Sequence, residues 1–104
     1  IHVMDLAEAH ILAFEYIIQG NPQVLNLNLG TGHGTSILEL IKTFEDVNNL
    51  KLNYKFKEKR LGDIPVLIAA NQLAFLKLNW KPKRNLRQMC EDGWKWQKLN
   101  PSGY

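Results

Sequence analysis

A single cysteine, Cys90, stands among 104 residues. It excludes an internal disulfide and leaves a thiolate zinc site without ligands. Such usage fits a reducing compartment, so the expected location is cytoplasmic. Histidine is as sparse: positions 2, 10 and 33 form no H-x-x-x-H pair, and no metal site is expected. Nor is there an apolar run of about 18 residues, the length a membrane span needs. The densest stretch, 10–18, is broken by Glu15 and Tyr16, which predicts a soluble chain with no membrane partner. Ile1-His2-Val3-Met4 has neither an initiator methionine nor the regions of a signal peptide, and reads as mid-chain. Internal repeats and low-complexity linkers are absent too.

Acidic residues are scarce in one half and basic residues in the other. Residues 1–50 hold one base, Lys42, against six acids, and residues 51–104 hold twelve bases against four acids. The halves carry −5 and +8, which sum to the formal +3. The basic half invites an anionic partner. With 45% hydrophobic and 22% charged residues, the chain has a globular composition and the length of one domain, or a piece of one.

Local patterns place the elements. Asp5-Leu6-Ala7-Glu8 pairs a capping residue with a carboxylate three positions on, and Leu6, Ala9, Ala13, Tyr16 and Ile17 recur at helical spacing. A helix over about 5–19 is predicted, stopped by Gly20-Asn21-Pro22. Residues 24–29 alternate leucine and asparagine as a half-covered strand does. After the turn Gly30-Thr31-Gly32-His33-Gly34, Ser36 and Glu39 open a second helix, whose stripe is Ile37, Leu40, Ile41, Phe44 and Val47. Leu52, Tyr54 and Phe56 alternate with Asn53, Lys55 and Lys57 in a second strand. A short extended piece at 66–69, a short helix at 71–78 and a stop at Trp80-Lys81-Pro82 follow. Asn85 with Gln88 caps the last helix. The fold class is therefore α/β (mixed α+β), with three main helices and short strands.

Few of these patterns carry chemistry. A dinucleotide loop needs G-x-G-x-x-G, and Thr35 stands where the third glycine belongs; a P-loop needs a lysine, which this turn lacks. The turn is read as structural. Ser36, His33 and an acid compose a triad only by chance, because no nucleophile elbow surrounds them. His10 is assigned to a core or a neighbouring loop. Cys90, beside Met89, is read as packing, and of Trp94 and Trp96 one is expected to face inward, since residues two apart cannot share a helix face. Lys59-Arg60-Leu61-Gly62-Asp63 is more informative. Arg60 offers a planar fork of donors to phosphate oxygens, Gly62 permits a bend, and Asp63 can accept from a hydroxyl or hold the arginine. The alternative is a solvated turn closed by a surface ion pair.

The stretch from Ile1 to His10, Asn28-Leu29-Gly30-Thr31-Gly32-His33-Gly34-Thr35-Ser36, the segment 59–63, the run from Met89 to Gln97 and the closing Asn100-Pro101-Ser102-Gly103-Tyr104 together resemble the C-terminal end of the UDP-glucose 4-epimerase family. That family is a branch of the extended short-chain dehydrogenases/reductases. The first three stretches also resemble nucleotide-sugar dehydratases and decarboxylases, whereas W-x-W-Q and N-P-x-G-Y point to the epimerase. The resemblance covers essentially the whole chain. It implies a C-terminal UDP-sugar-binding portion over 1–104, with the NAD-binding Rossmann domain absent from this chain. It further implies that Arg60 contacts the UDP pyrophosphate and Asp63 the ribose, and that no cofactor-binding or catalytic residue lies here. Where some members carry a tyrosine four residues beyond that aspartate, this chain has Leu67.

The family's glycine loop for NAD and its Tyr-x-x-x-Lys are nowhere in these residues. A complete relative removes the sugar 4-hydroxyl proton with that tyrosine, passes the C4 hydride to NAD, turns the 4-keto sugar and returns the hydride to its other face. The fragment holds the nucleotide end only. Implied partners are the UDP-sugar, the N-terminal domain and a second copy in a homodimer, with no nucleic acid; the alternatives are another nucleotide-sugar enzyme of the superfamily or a nucleic-acid-binding module.

Overall fold

The computed structural model describes residues 1–20 and 24–103. Four helices run through it: α1 (Val3–Ile18), α2 (Ile37–Asn48), α3 (Gln72–Leu78) and α4 (Leu86–Leu99). α1 packs on α3, and α2 on α4. The expected break at Asn21-Pro22 and the closing Tyr104 lie outside the described residues.

α2 and α4 begin as their sequences dictate. Ser36 Oγ accepts the Glu39 amide at 3.1 Å and the Glu39 carboxylate accepts the Ser36 amide at 3.4 Å. Asn85 and Gln88 exchange the same pair at 3.1 and 2.9 Å. Each reciprocal cap satisfies amides a helix start otherwise strands, and is worth about 1 kcal/mol. Between the two helices Phe44 meets Trp94 edge to face, with ring centroids 5.8 Å apart. Trp94 is the inward tryptophan, while Trp96 is 42% exposed. Of the α2 stripe, Ile41, Phe44 and Val47 are half-buried, but Ile37 and Leu40 remain exposed.

α1 departs from its expected start. It begins two residues earlier, capped by His2, whose Nδ1 accepts the Met4 amide at 3.1 Å. The ring hydrogen therefore sits on Nε2, which donates to Asp92 at 3.0 Å. Asp5 does not cap. It is wholly buried and turned toward the connector before α4, where its Oδ2 accepts the amides of Lys83 (3.1 Å) and Arg84 (3.0 Å) and its Oδ1 accepts the Arg84 guanidinium. Glu8 adds Lys83 Nζ at 2.6 Å and the Arg84 guanidinium at 3.1 Å. Two basic neighbours on a distant segment thus claim both carboxylates of the apparent capping box. His10 is exposed, its Nδ1 donating to the Leu6 carbonyl at 2.8 Å, and not in the core.

The core is small. Ala9, Ala74, Leu78 and Trp80 form it, with Leu12, Ala13, Tyr16, Leu27 and Leu29 packed against it. Trp80, expected only as part of a stop, is 2% exposed and donates its indole N–H to the Asp5 carbonyl at 3.0 Å.

The expected strands are the main correction to the mixed α+β reading. Residues 24–29, 52–57 and 66–69 are not in α-helix, yet no strand forms among the described residues. Alternation selects an extended backbone with one apolar side, but a strand also needs a neighbour to exchange hydrogen bonds with, and these segments find none in each other. No helix among the described residues is long and apolar enough to cross a membrane.

Candidate functional site

The segment leading to the site is exposed throughout: every residue from 51 to 62 stands open to solvent. Lys55, Lys57, Lys59 and Arg60 gather there with Glu58 as the one opposing charge, and Tyr54 stacks edge to face on Phe56 at 5.6 Å. A tight turn ends it. The Asp63 amide donates to the Arg60 carbonyl at 3.2 Å, and Gly62 takes a left-handed φ of +90° that a β-carbon would oppose.

This turn brings the two predicted site residues together. Asp63 Oδ2 accepts the Arg60 amide at 3.1 Å and Nε at 3.5 Å, and Oδ1 accepts Nη2 at 3.3 Å. Nη1 takes no part in the pair. The Arg60 side chain is 87% exposed, the Asp63 side chain 40%. A pair so open is screened by water and adds little to stability. Its effect is to hold a cation at the tip of a basic segment, where phosphate oxygens can compete with the carboxylate for donors. Neither residue lines the described clefts.

Those clefts have other uses. One of about 370 Å³ runs past Thr31, His33, Thr35, Lys83 and Arg84, but the last two are neutralised by Asp5 and Glu8, which leaves no spare positive charge for an anion. His33 is folded back on Thr31, donating its amide to Oγ1 at 3.2 Å and Nδ1–H to the Thr31 carbonyl at 3.1 Å. Ser36 caps α2, so the two are not assembled as a triad. No group of three His, Cys, Asp or Glu side chains among the described residues is arranged to hold a metal ion. Cys90 is 4% exposed, and burial, helped by Glu91, pushes its thiol above the ordinary value, the reverse of a nucleophile.

The glycine turn is explained by packing. A β-carbon on Gly30 would stand 2.5 Å from that of Ala69, and one on Gly34 would stand 3.1 Å from Ile68 Cδ1. Asn71 closes the turn by donating Nδ2–H to the Gly30 carbonyl at 2.9 Å. Residues 68–71 thus pack against the turn.

No family model matches the chain. Individual proteins do. It is 45% identical over 104 residues to the UDP-glucose 4-epimerase of Pasteurella multocida (strain Pm70) and 42% identical over 105 residues to that of Drosophila melanogaster, in each case across the whole chain. From end to end, the chain is similar to UDP-glucose 4-epimerases. It spans about 30% of the length of these curated relatives. A solved UDP-glucose 4-epimerase from Bifidobacterium longum, in complex with NAD+ and UDP, superposes on all of the chain with a TM-score of 0.90 at 38% identity, again over 30% of its own length.

Proposed function

We propose that these residues are the C-terminal, nucleotide-holding part of an NAD-dependent UDP-glucose 4-epimerase that interconverts UDP-glucose and UDP-galactose in the cytoplasm. The observation that carries this reading is the relationship to epimerases across the whole chain, at identities above 40%. In it, Arg60 donates to the pyrophosphate and Asp63 accepts from the ribose. The loop is suited to both tasks, since it is exposed, basic and bent at Gly62.

NAD belongs to the N-terminal Rossmann part of the complete enzyme. The residues present here do not fit it, because the one glycine turn is closed by Ala69, Ile68 and Asn71. This chain therefore supplies no base and no redox group. Its contribution is binding energy from the unreactive nucleotide end, which orients the sugar for chemistry performed elsewhere. The complete enzyme is expected to work as a homodimer.

The test is product analysis. The intact protein, given UDP-glucose and NAD, should form UDP-galactose. Formation of a dehydrated or decarboxylated sugar would assign it to another branch of the superfamily.

A further inference from the structure

The Arg60–Asp63 pair carries no net charge, and the attraction a closed ion pair exerts on a distant anion nearly cancels. Such a pair can hold a phosphate that has arrived but draws none from solution. The residues before it differ. Lys51 is tied to Glu45 at 3.3 Å, whereas Lys55, Lys57 and Lys59 form no ion pair among the described residues and stand open to solvent. Their arrangement is one-sided. The rings of Tyr54 and Phe56 meet at 5.6 Å, as side chains two residues apart do on an extended backbone. Lys55 and Lys57 therefore project from the opposite side, and the same alternation carries Lys59 with them and Glu58 with the rings. Over 55–63, four cations oppose two carboxylates, a net +2, and three of those cations are these lysines. The backbone from Lys55 to Arg60 spans at most about 18 Å. That lies within the Debye length of about 30 Å at 0.01 M salt and well beyond the 3 Å or so at 1 M.

We propose that Lys55, Lys57 and Lys59 form an electrostatic guide, which draws the diphosphate dianion of a nucleotide sugar to Arg60 without bonding to it. This rests on reading the Arg60–Asp63 turn as the nucleotide clamp. Charges that attract through solvent raise the rate of encounter, whereas groups that bond the ligand set how slowly it leaves. The lysines therefore govern association and Arg60 governs dissociation. Glutamine at all three lysine positions takes segment 55–63 from +2 to −1, so attraction becomes repulsion.

Stopped-flow mixing of the intact protein with fluorescently labelled UDP, from about 0.01 to about 1 M salt, tests this. With Lys55→Gln, Lys57→Gln and Lys59→Gln combined, association at the lowest salt should slow about tenfold. The gap should close at the highest salt, and dissociation should stay within about twofold of the unsubstituted protein. Arginine at the same three positions should keep association fast. Equal association rates at the lowest salt would overturn the proposal. So would a gap that persists at the highest salt, or faster dissociation, either of which would make the lysines ligands of the nucleotide. The two readings fail apart: labelled UDP that binds at a rate indifferent to the lysines defeats the guide alone, whereas a protein that binds no UDP at any salt concentration defeats the clamp and the guide with it.

Discussion

Replacing Asp5 by asparagine removes a buried charge on which three donors converge. Its Oδ2 serves the amides of Lys83 and Arg84, and its Oδ1 serves the Arg84 guanidinium. Asparagine keeps one oxygen for the amides and turns an NH2 toward the guanidinium, so a charge-assisted bond becomes donor against donor. Losing the bond costs about 1.5–3 kcal/mol, while the Arg84 guanidinium keeps the Glu8 carboxylate as a partner at 3.1 Å. That loss is a sizeable share of the 5–15 kcal/mol or so that stabilises a typical domain.

Urea unfolding of the intact Asp5→Asn protein, followed by tryptophan fluorescence, should show a lower midpoint at unchanged slope. A loss below about 1 kcal/mol would refute the reasoning. The acid limb gives a second reading. Burial pushes the Asp5 carboxyl up, but the Arg84 amide, the Arg84 guanidinium and the Lys83 amide outweigh it and hold the group below its ordinary 3.8. Hydrogen bonds from Lys83 and then Arg84 hold Glu8 below 4.5. Both carboxylates are thus more acidic folded than unfolded. Their stabilisation is complete above the ordinary values and is lost as pH falls through the lower folded ones. The variant should lose its share of that acid sensitivity.

Two further outcomes follow from packing. Gly30→Ala should destabilise the intact protein by about 1–3 kcal/mol through overpacking against Ala69, and Ala69→Gly in the same chain should restore most of the loss in a thermal melt; an unshifted single variant would contradict the close approach. Cys90 should resist iodoacetamide near neutral pH in the folded protein and react once it is unfolded, as mass spectrometry would show, whereas rapid labelling of the native protein would contradict its burial.

The helices were legible where their signals are local. Ser36 with Glu39 and Asn85 with Gln88 lie three residues apart, so sequence and structure carry the same information. The start of α1 was misread because Asp5 looks identical to a cap in its own neighbourhood, and only residues 78 and 79 positions away reveal what it binds. Trp80 was hidden for the same reason. Alternation at 24–29 and 52–57 was readable, but a ladder is a property of two segments, and no sequence pattern in one of them names its neighbour. The Arg60–Asp63 turn was visible from residue chemistry alone. The proposal that a nucleotide binds there rests on similarity to the epimerases, because nothing local distinguishes a phosphate clamp from a solvated ion pair of the same geometry.

Calorimetric titration of UDP into the intact protein and its Arg60→Ala variant tests the central claim most directly. Loss of the guanidinium should weaken binding by about 1.5–3 kcal/mol, roughly tenfold to a hundredfold or slightly more. Equal affinity in the two proteins would contradict the assignment of this turn to the diphosphate.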